Sequence, residues 1–261
     1  MPALPAPERE LSASPILATR DLGLDIGGAT IVAGVGLEVR EGELLGVIGP
    51  NGAGKTTLFN LVSGLLAPTS GRIVLDGRDI TKEPPFRRTR AGLGRTFQVS
   101  NVFPLLSVHE NVRLAAEAAI GGTMRIWRQA SRVKEAVDRA HWALERVGLG
   151  GRGPLPAGLL SHGDKRKLEL AMVLAGESRV IMLDEPMAGV AMEDVDELVE
   201  LIRSVHAEGK TVLMVEHHME VVTGLAQRIA VLHHGSLLAV DTPDAIMRNR
   251  TVQQAYLGEP L

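Results

Sequence analysis

The chain has 261 residues, 45% of them apolar, and a formal charge of −3. That length buries a full core as one large domain or one with a subdomain, and the slight acidity excludes a global basic field for nucleic acid. The absence of cysteine excludes disulfides, thiolate zinc sites and cysteine nucleophiles, and no apolar run approaches the roughly 18 residues of a membrane span.

Residues 1–15 carry four prolines and few apolar side chains and read as a disordered tail. They lack the basic-then-apolar pattern of a signal peptide, so a cytoplasmic location is expected, with any membrane spans provided by a partner. From Ile16 to Val47, short apolar segments are punctuated by Gly23, Gly27, Gly28, Gly34, Gly36 and Gly42. This predicts antiparallel strands feeding a central buried strand, Leu44-Leu45-Gly46-Val47-Ile48. Leu58, Leu61, Val62 and Leu65 then recur at helical spacing. Arg72-Ile73-Val74-Leu75 before Asp76-Gly77 predicts a strand and a tight turn. The basic run Arg87-Arg88-Thr89-Arg90 reads as a solvated loop rather than a partner patch.

From Ser107 the pattern is helical. Ser107 and Glu110 read as a capping box, and Val133, Ala136, Val137, Ala140, Leu144 and Val147 mark a second helix ended by Gly148. Trp127 and Trp142 read as packing residues. A glycine- and proline-rich segment, 150–158, leads into Leu160-Ser161-His162-Gly163-Asp164 and a helix with Leu168, Ala171, Met172 and Ala175 inward. Three unbroken apolar runs follow: Val180-Ile181-Met182-Leu183, Val212-Leu213-Met214-Val215 and Ile229-Ala230-Val231-Leu232. Such runs suit parallel strands covered on both faces. A helix striped by Val195, Leu198, Val199, Ile202 and Val205 separates the first two, which predicts a doubly wound α/β sheet. Thr242-Pro243-Asp244 caps a final short helix to about Tyr256.

Gly49-Pro50-Asn51-Gly52-Ala53-Gly54-Lys55-Thr56-Thr57 fits G-x-x-x-x-G-K-[ST] between a strand and a helix. Its glycines let the backbone wrap a polyphosphate, and the helix N-terminus adds about half a positive charge. Lys55 can reach the β- and γ-phosphates, and the Thr56 hydroxyl can ligate magnesium. Alone, the loop predicts a nucleoside triphosphate and leaves kinases, GTPases, motors and transport ATPases open. Asp184 and Glu185 end an apolar strand, where ligands of a doubly wound sheet collect. Asp184 is expected near the magnesium on Thr56, and Glu185 is placed to orient or deprotonate an attacking water; a helix-capping pair of acids is the plainer alternative. His217 follows another buried strand and is expected on the same edge. The neighbouring pairs His217-His218 and His233-His234 point to opposite faces and make poor metal sites. Ser161-His162-Gly163-Asp164 is a helix cap and also a second possible phosphate site. Two chains facing each other could place both sites on one γ-phosphate.

The order phosphate loop, Gln98, Leu-Ser-x-Gly, Asp-Glu, His217 resembles the ATP-binding cassette (ABC) family over 16–261. The resemblance implies an α/β P-loop nucleoside-triphosphatase fold with a mixed, largely parallel central sheet and an N-terminal antiparallel β subdomain. It also implies an inserted α-helical subdomain at about 100–160 and short C-terminal helices at about 242–257. The phosphate loop, Arg95-Thr96-Phe97-Gln98 and Ala255-Tyr256-Leu257-Gly258-Glu259 look like ATPase subunits of branched-chain amino acid importers. The related urea-uptake ATPases share Leu-Ser-His-Gly.

By that resemblance the ligands are ATP and Mg²⁺. Gly49 to Thr57 hold the phosphates, and Thr56, Gln98 and Asp184 hold the metal, Asp184 through water. Gln98 senses the γ-phosphate and links to a membrane subunit. Glu185 acts on the hydrolytic water, His217 contacts the γ-phosphate, and Ser161, Gly163 and Asp164 close over the ATP of the opposite protomer. The implied partners are a second ABC ATPase subunit, transmembrane permease subunits and, indirectly, a solute-binding protein. No nucleic acid is expected, and the chain would sit peripherally on the inner face of the cell membrane. The expected cargo is a branched-chain or other hydrophobic amino acid. Import of urea, amides or carboxylates, a soluble cassette ATPase acting on nucleic acid or ribosomes, and an unrelated phosphate-loop enzyme such as a kinase are the alternatives.

Three features depart from the family pattern. His162 and Asp164 stand where glycine and glutamine are usual, the second adding negative charge near ATP. Ala191 replaces an aspartate. No aromatic lies near Ile26 to stack on adenine, a loss of about 1–3 kcal/mol that predicts modest ATP affinity and weak base selectivity.

Overall fold

The computed structural model describes residues 15–96, 102–121 and 126–257. Gln98 and nearly all of the expected tail lie outside the described residues. The chain enters through β1 (Pro15–Ile26) and β2 (Ala29–Arg40), an antiparallel hairpin turned at Gly27 and Gly28, whose φ angles of 58° and 84° suit residues without a Cβ. β3 (Leu44–Ile48) leads through the phosphate loop into α1 (Lys55–Ser63). β4 (Ser70–Leu75) and β5 (Arg78–Asp79) form the hairpin expected at Asp76-Gly77. These four outer strands make an antiparallel sheet ordered β2-β1-β4-β5.

α2 (Pro85–Arg90), β6 (Leu93–Arg95), α3 (Val108–Ile120) and α4 (Ile126–Arg146) follow. Two 3-10 turns, Gly150–Arg152 and Ala157–Leu159, lead to α5 (His162–Ala175). The chain then alternates through β7 (Val180–Asp184), α6 (Met192–Ala207), β8 (Thr211–Val215), α7 (Met219–Leu225) and β9 (Arg228–His233). It continues in β10 (Ser236–Asp241), α8 (Pro243–Arg248) and α9 (Arg250–Leu257). The second sheet runs β10-β9-β3-β8-β7-β6, parallel except for the β9–β10 pair.

Alternation across each strand explains the unbroken apolar runs. Ile181, Leu183, Val212, Met214, Ile229 and Val231 join one core with the helices α3 to α6. Val180, Met182, Leu213, Val215, Ala230 and Leu232 join a second core with α1 and the antiparallel sheet. Leu58, Phe59, Leu61 and Val62 put α1 between the two sheets, so the helix that carries the phosphate loop is held on both sides.

Several expectations are corrected. The basic run is helix α2, and Arg88 within it is 2% exposed rather than solvated. Its guanidinium donates to the carbonyls of Leu61 and Val62 at 2.7 Å each and to those of Thr81 and Glu83 at 2.8 Å. The first two are carbonyls of the last turn of α1, so an arginine from a later element supplies donors and positive charge at that helix's negative end. Only half of the Ser107 capping box forms. Ser107 Oγ accepts from the Glu110 amide at 3.1 Å, but the Glu110 carboxylate pairs with Arg113. Trp142 is 49% exposed, because the inward face of α4 is made of Ala136, Ala140, Ala143 and Leu144; the Trp127 side chain lies outside the description. The one short helix read from Thr242-Pro243-Asp244 is two, split at Asn249, in keeping with the short C-terminal helices that the family resemblance implied. Strands β6 and β10 were not expected.

Candidate nucleotide site

Gly49, Gly52 and Gly54 have φ angles of 155°, 80° and 96°. A Cβ on Gly49 would stand 2.2 Å from the Leu232 carbonyl oxygen, so the first glycine is required by the neighbouring strand. Gly52 faces open space and is required by its φ alone. Ala53 is buried, its amide donating to Pro50 and its carbonyl accepting from Gly235, which ties the loop to the turn after β9. Lys55 is 6% exposed and its Nζ donates to the carbonyls of Gly49 at 2.6 Å and Pro50 at 3.0 Å. Burial pushes its pKa down, and the Glu185 carboxylate opposes that shift. Thr56 is exposed and Thr57 half-buried in the first turn. That turn carries no acidic residue and no side-chain cap, so its amides and positive end are left for an anion. The Tyr256 phenol, on α9, lies near enough to the Gly49 backbone for that backbone to oppose the upward push of burial on its pKa.

Asp184 ends β7 at 1% exposure. Its Oδ2 accepts from Arg95 Nη2 at 2.7 Å, and Arg95 Nη1 reaches Asn60 Oδ1 at 2.9 Å and Ser63 Oγ at 2.7 Å on α1. Asp184 Oδ1 is buried with no hydrogen-bond partner among the described residues, an unmet acceptor that a hard cation or its water would satisfy. The hydroxyl and carboxylate oxygens present here therefore fit magnesium.

Glu185 adopts φ 49°, a left-handed conformation unusual for a side-chain-bearing residue. Its amide donates to the Val215 carbonyl at 2.9 Å, which anchors this turn to the end of β8. Its Oε1 lies 2.8 Å from His217 Nε2. The two residues therefore meet from the ends of adjacent strands. The next helix, α6, starts at Met192 with Ala191 as its N-cap and no side-chain bond to it, so Glu185 does not cap that helix.

Glu216, which the sequence reading passed over, holds that meeting in place. It is 2% exposed; its Oε1 accepts from the Met187 amide at 3.0 Å and its Oε2 from the His217 amide at 2.6 Å. One buried carboxylate thus bridges the turn carrying Glu185 and the turn carrying His217. A charged residue directly after an apolar strand was its only local signal.

Ser161, Gly163 and Asp164 stand at the N-terminus of α5, beside a separate polar cavity of about 610 Å³ that Arg152 and Lys167 also line. The Ser161 hydroxyl accepts from the Asp164 amide at 3.1 Å and donates to Asp164 Oδ2 at 3.0 Å, and Arg152 Nη1 donates to that same oxygen. The charge that Asp164 adds is therefore paired. Arg166 Nη2 donates to the Ala188 carbonyl at 3.2 Å, joining α5 to the turn after Glu185. Ala191 is the N-cap of α6 with no side-chain bond to it. Ile26 is 55% exposed at the end of β1.

A glycine-rich loop between the central strand and a helix, with an acid pair and a histidine ending the next two strands along, defines a P-loop domain of the ATP-binding cassette type. The family described as "ABC transporter" matches residues 32–188, and the chain belongs to that family. A second family, "Branched-chain amino acid ATP-binding cassette transporter", matches residues 236–260. The high-affinity branched-chain amino acid transport ATP-binding protein LivG of Salmonella typhimurium is 39% identical, over 94% of this chain and 98% of that protein. Among solved structures, a nucleotide-free ATP-binding cassette from an ABC transporter is 28% identical with a TM-score of 0.83, covering 94% of this chain and 100% of that one. A dimeric structure of a bacterial ABC transporter cassette is 25% identical with a TM-score of 0.73, covering 87% of this chain and 98% of that one.

Proposed function

We propose that this chain is the ATP-hydrolysing subunit of an ABC importer, working as a homodimer or beside a similar subunit, with a branched-chain or other hydrophobic amino acid as cargo. One observation carries the catalytic reading: neighbouring parallel strands β3, β8 and β7 bring Lys55, His217 and the Asp184–Glu185 pair to one sheet edge. Similarity to LivG and the match over 236–260 support the cargo.

Phosphoryl transfer needs positioning and charge stabilisation more than covalent help. The loop amides and Lys55 bind the phosphates. Glu185 accepts a proton from, or orients, the attacking water, and His217, held by Glu216, contacts the terminal phosphate. Thr56, Asp184 and Gln98 would hold magnesium, which when bound neutralises phosphate charge. Ser161, Gly163 and Asp164 address the nucleotide of the opposite protomer, a reading supported by the dimeric cassette. Joining two half-sites ties hydrolysis to closure. Residues 100–160, as a helical subdomain, together with Gln98 receive the permease, which a solute-binding protein loads. Among the described residues no helix is long and apolar enough to cross a membrane, and the spans are assigned to the permease on whose cytoplasmic face the chain sits.

The test is reconstitution with a permease of the branched-chain amino acid importer type and a binding protein loaded with leucine. Inorganic phosphate release coupled to leucine entry is expected. Phosphate passed from ATP to an acceptor molecule, with no release, would instead identify a kinase and sink this reading.

A further inference from the structure

Asp164 Oδ2 receives two donors at once, the Ser161 hydroxyl and Arg152 Nη1. An ionised carboxylate holds no hydrogen, so Ser161 can only be the donor in this pair. Its oxygen already accepts from the Asp164 amide. The only hydrogen of the hydroxyl is thus spent inside the chain, and a phosphate oxygen arriving from outside meets lone pairs. To donate outward, Ser161 must release Asp164. That carboxylate is only 9% exposed, and stripping a buried charge of its donors is unfavourable unless one remains.

Arg152 is placed to be that donor. It ends a 3-10 turn with its side chain 49% exposed, so it can follow the carboxylate. The other charges on this cavity do not substitute for it. Lys167 pairs with Glu197 at 2.6 Å, and Asp194 adds a further carboxylate, its Oδ2 3.0 Å from where a Cβ on Gly163 would stand.

We propose that Arg152 is a positioning residue for Ser161: by holding Asp164 it frees the serine hydroxyl to turn its hydrogen toward a terminal phosphate presented by a second copy of this chain. The proposal rests on the two-subunit reading above. Arg152 acts through Asp164 and does not itself touch the phosphate.

The experiment is made in the hydrolysis-blocked Glu185→Gln protein, reading the ATP concentration that gives half-maximal dimer by sedimentation. Arg152→Gln raises that concentration about tenfold, since the hydroxyl stays locked on Asp164. Adding Asp164→Asn removes the lock and restores the midpoint to within about threefold, and Arg152→Lys alone keeps it within a similar range. An unchanged midpoint in Arg152→Gln overturns the proposal. So does a double variant as weak as the single one, which would make Arg152 a direct phosphate contact or a purely structural residue. A Glu185→Gln parent that stays monomeric at every ATP concentration overturns the two-subunit reading, and this proposal falls with it.

Discussion

Asp184 and His217 stand at the ends of neighbouring parallel strands, beside the phosphate loop that leaves β3, whereas Ser161 and Asp164 stand at the start of a helix, secured by its own cap and by Arg152. In the first region, ladder bonds, two apolar cores and the buried Glu216 fix where each side chain begins. In the second, side chains satisfy one another beside an open polar cavity. The first is stiff before any ligand arrives. On the proposed two-subunit reading the second exchanges an internal hydrogen bond for an external one, which makes it the half on which closure would act.

The largest effect that sharpens this contrast falls on the strand-end region. Glu185→Gln keeps ATP binding and lowers kcat by about 10²–10⁴, measured as phosphate release; a rate within about twofold of wild type would remove Glu185 from the chemistry. The stiffness itself is probed at Arg88. Arg88→Met leaves the Leu61 and Val62 carbonyls without their guanidinium donor and lowers unfolding free energy by about 2–4 kcal/mol in a urea titration. A change below about 0.5 kcal/mol would mean that water replaces the arginine and that the end of α1 is not rigidly held. The smallest effect is expected at Glu216. Glu216→Gln turns one acceptor into a donor facing the amides of Met187 or His217, and kcat falls about tenfold with KM within about twofold. A matching rise in KM with kcat intact would place Glu216 in ground-state binding instead.

What could be read from the sequence follows the distance over which each residue finds its partners. The phosphate loop is contiguous, and Gly52 and Gly54 are demanded by local φ angles, so its motif was legible even though Gly49 answers to the distant Leu232 carbonyl. The strands β7, β8 and β9 were legible because burial on both faces leaves no polar position in their runs. Arg88, Arg95 and Glu216 were not. Their partners lie 27, 89 and 29 positions away, and a charged residue reads as solvated until the element it meets is known. Strand β6 was missed because three residues carry no period. Its Gly94 is explained by Ser178 and Val173, whose Oγ and Cγ1 would stand 2.4 Å and 2.5 Å from a Cβ there. The lock on Ser161 was half visible. Serine and aspartate at cap spacing were plain, but the arginine that completes them sits on a turn with no pattern of its own.

Tyr256 is the sole tyrosine of the chain, and its phenol feels the backbone of the first glycine of the phosphate loop. Burial pushes its phenol up to about 12 from an ordinary 10.0, with the Gly49 backbone opposing the shift. Between those values the unfolded chain loses the proton first, so the stability that goes with burying a neutral phenol is complete below about pH 10 and is lost as pH rises through about 12, while the Gly49 backbone works the other way by favouring the phenolate. Phenolate absorbs in the ultraviolet where phenol does not, and here the signal comes from one residue. The protein therefore carries its own chromophore at the edge of the nucleotide site: an absorbance titration, with and without nucleotide, reads whether the loop keeps its grip on α9.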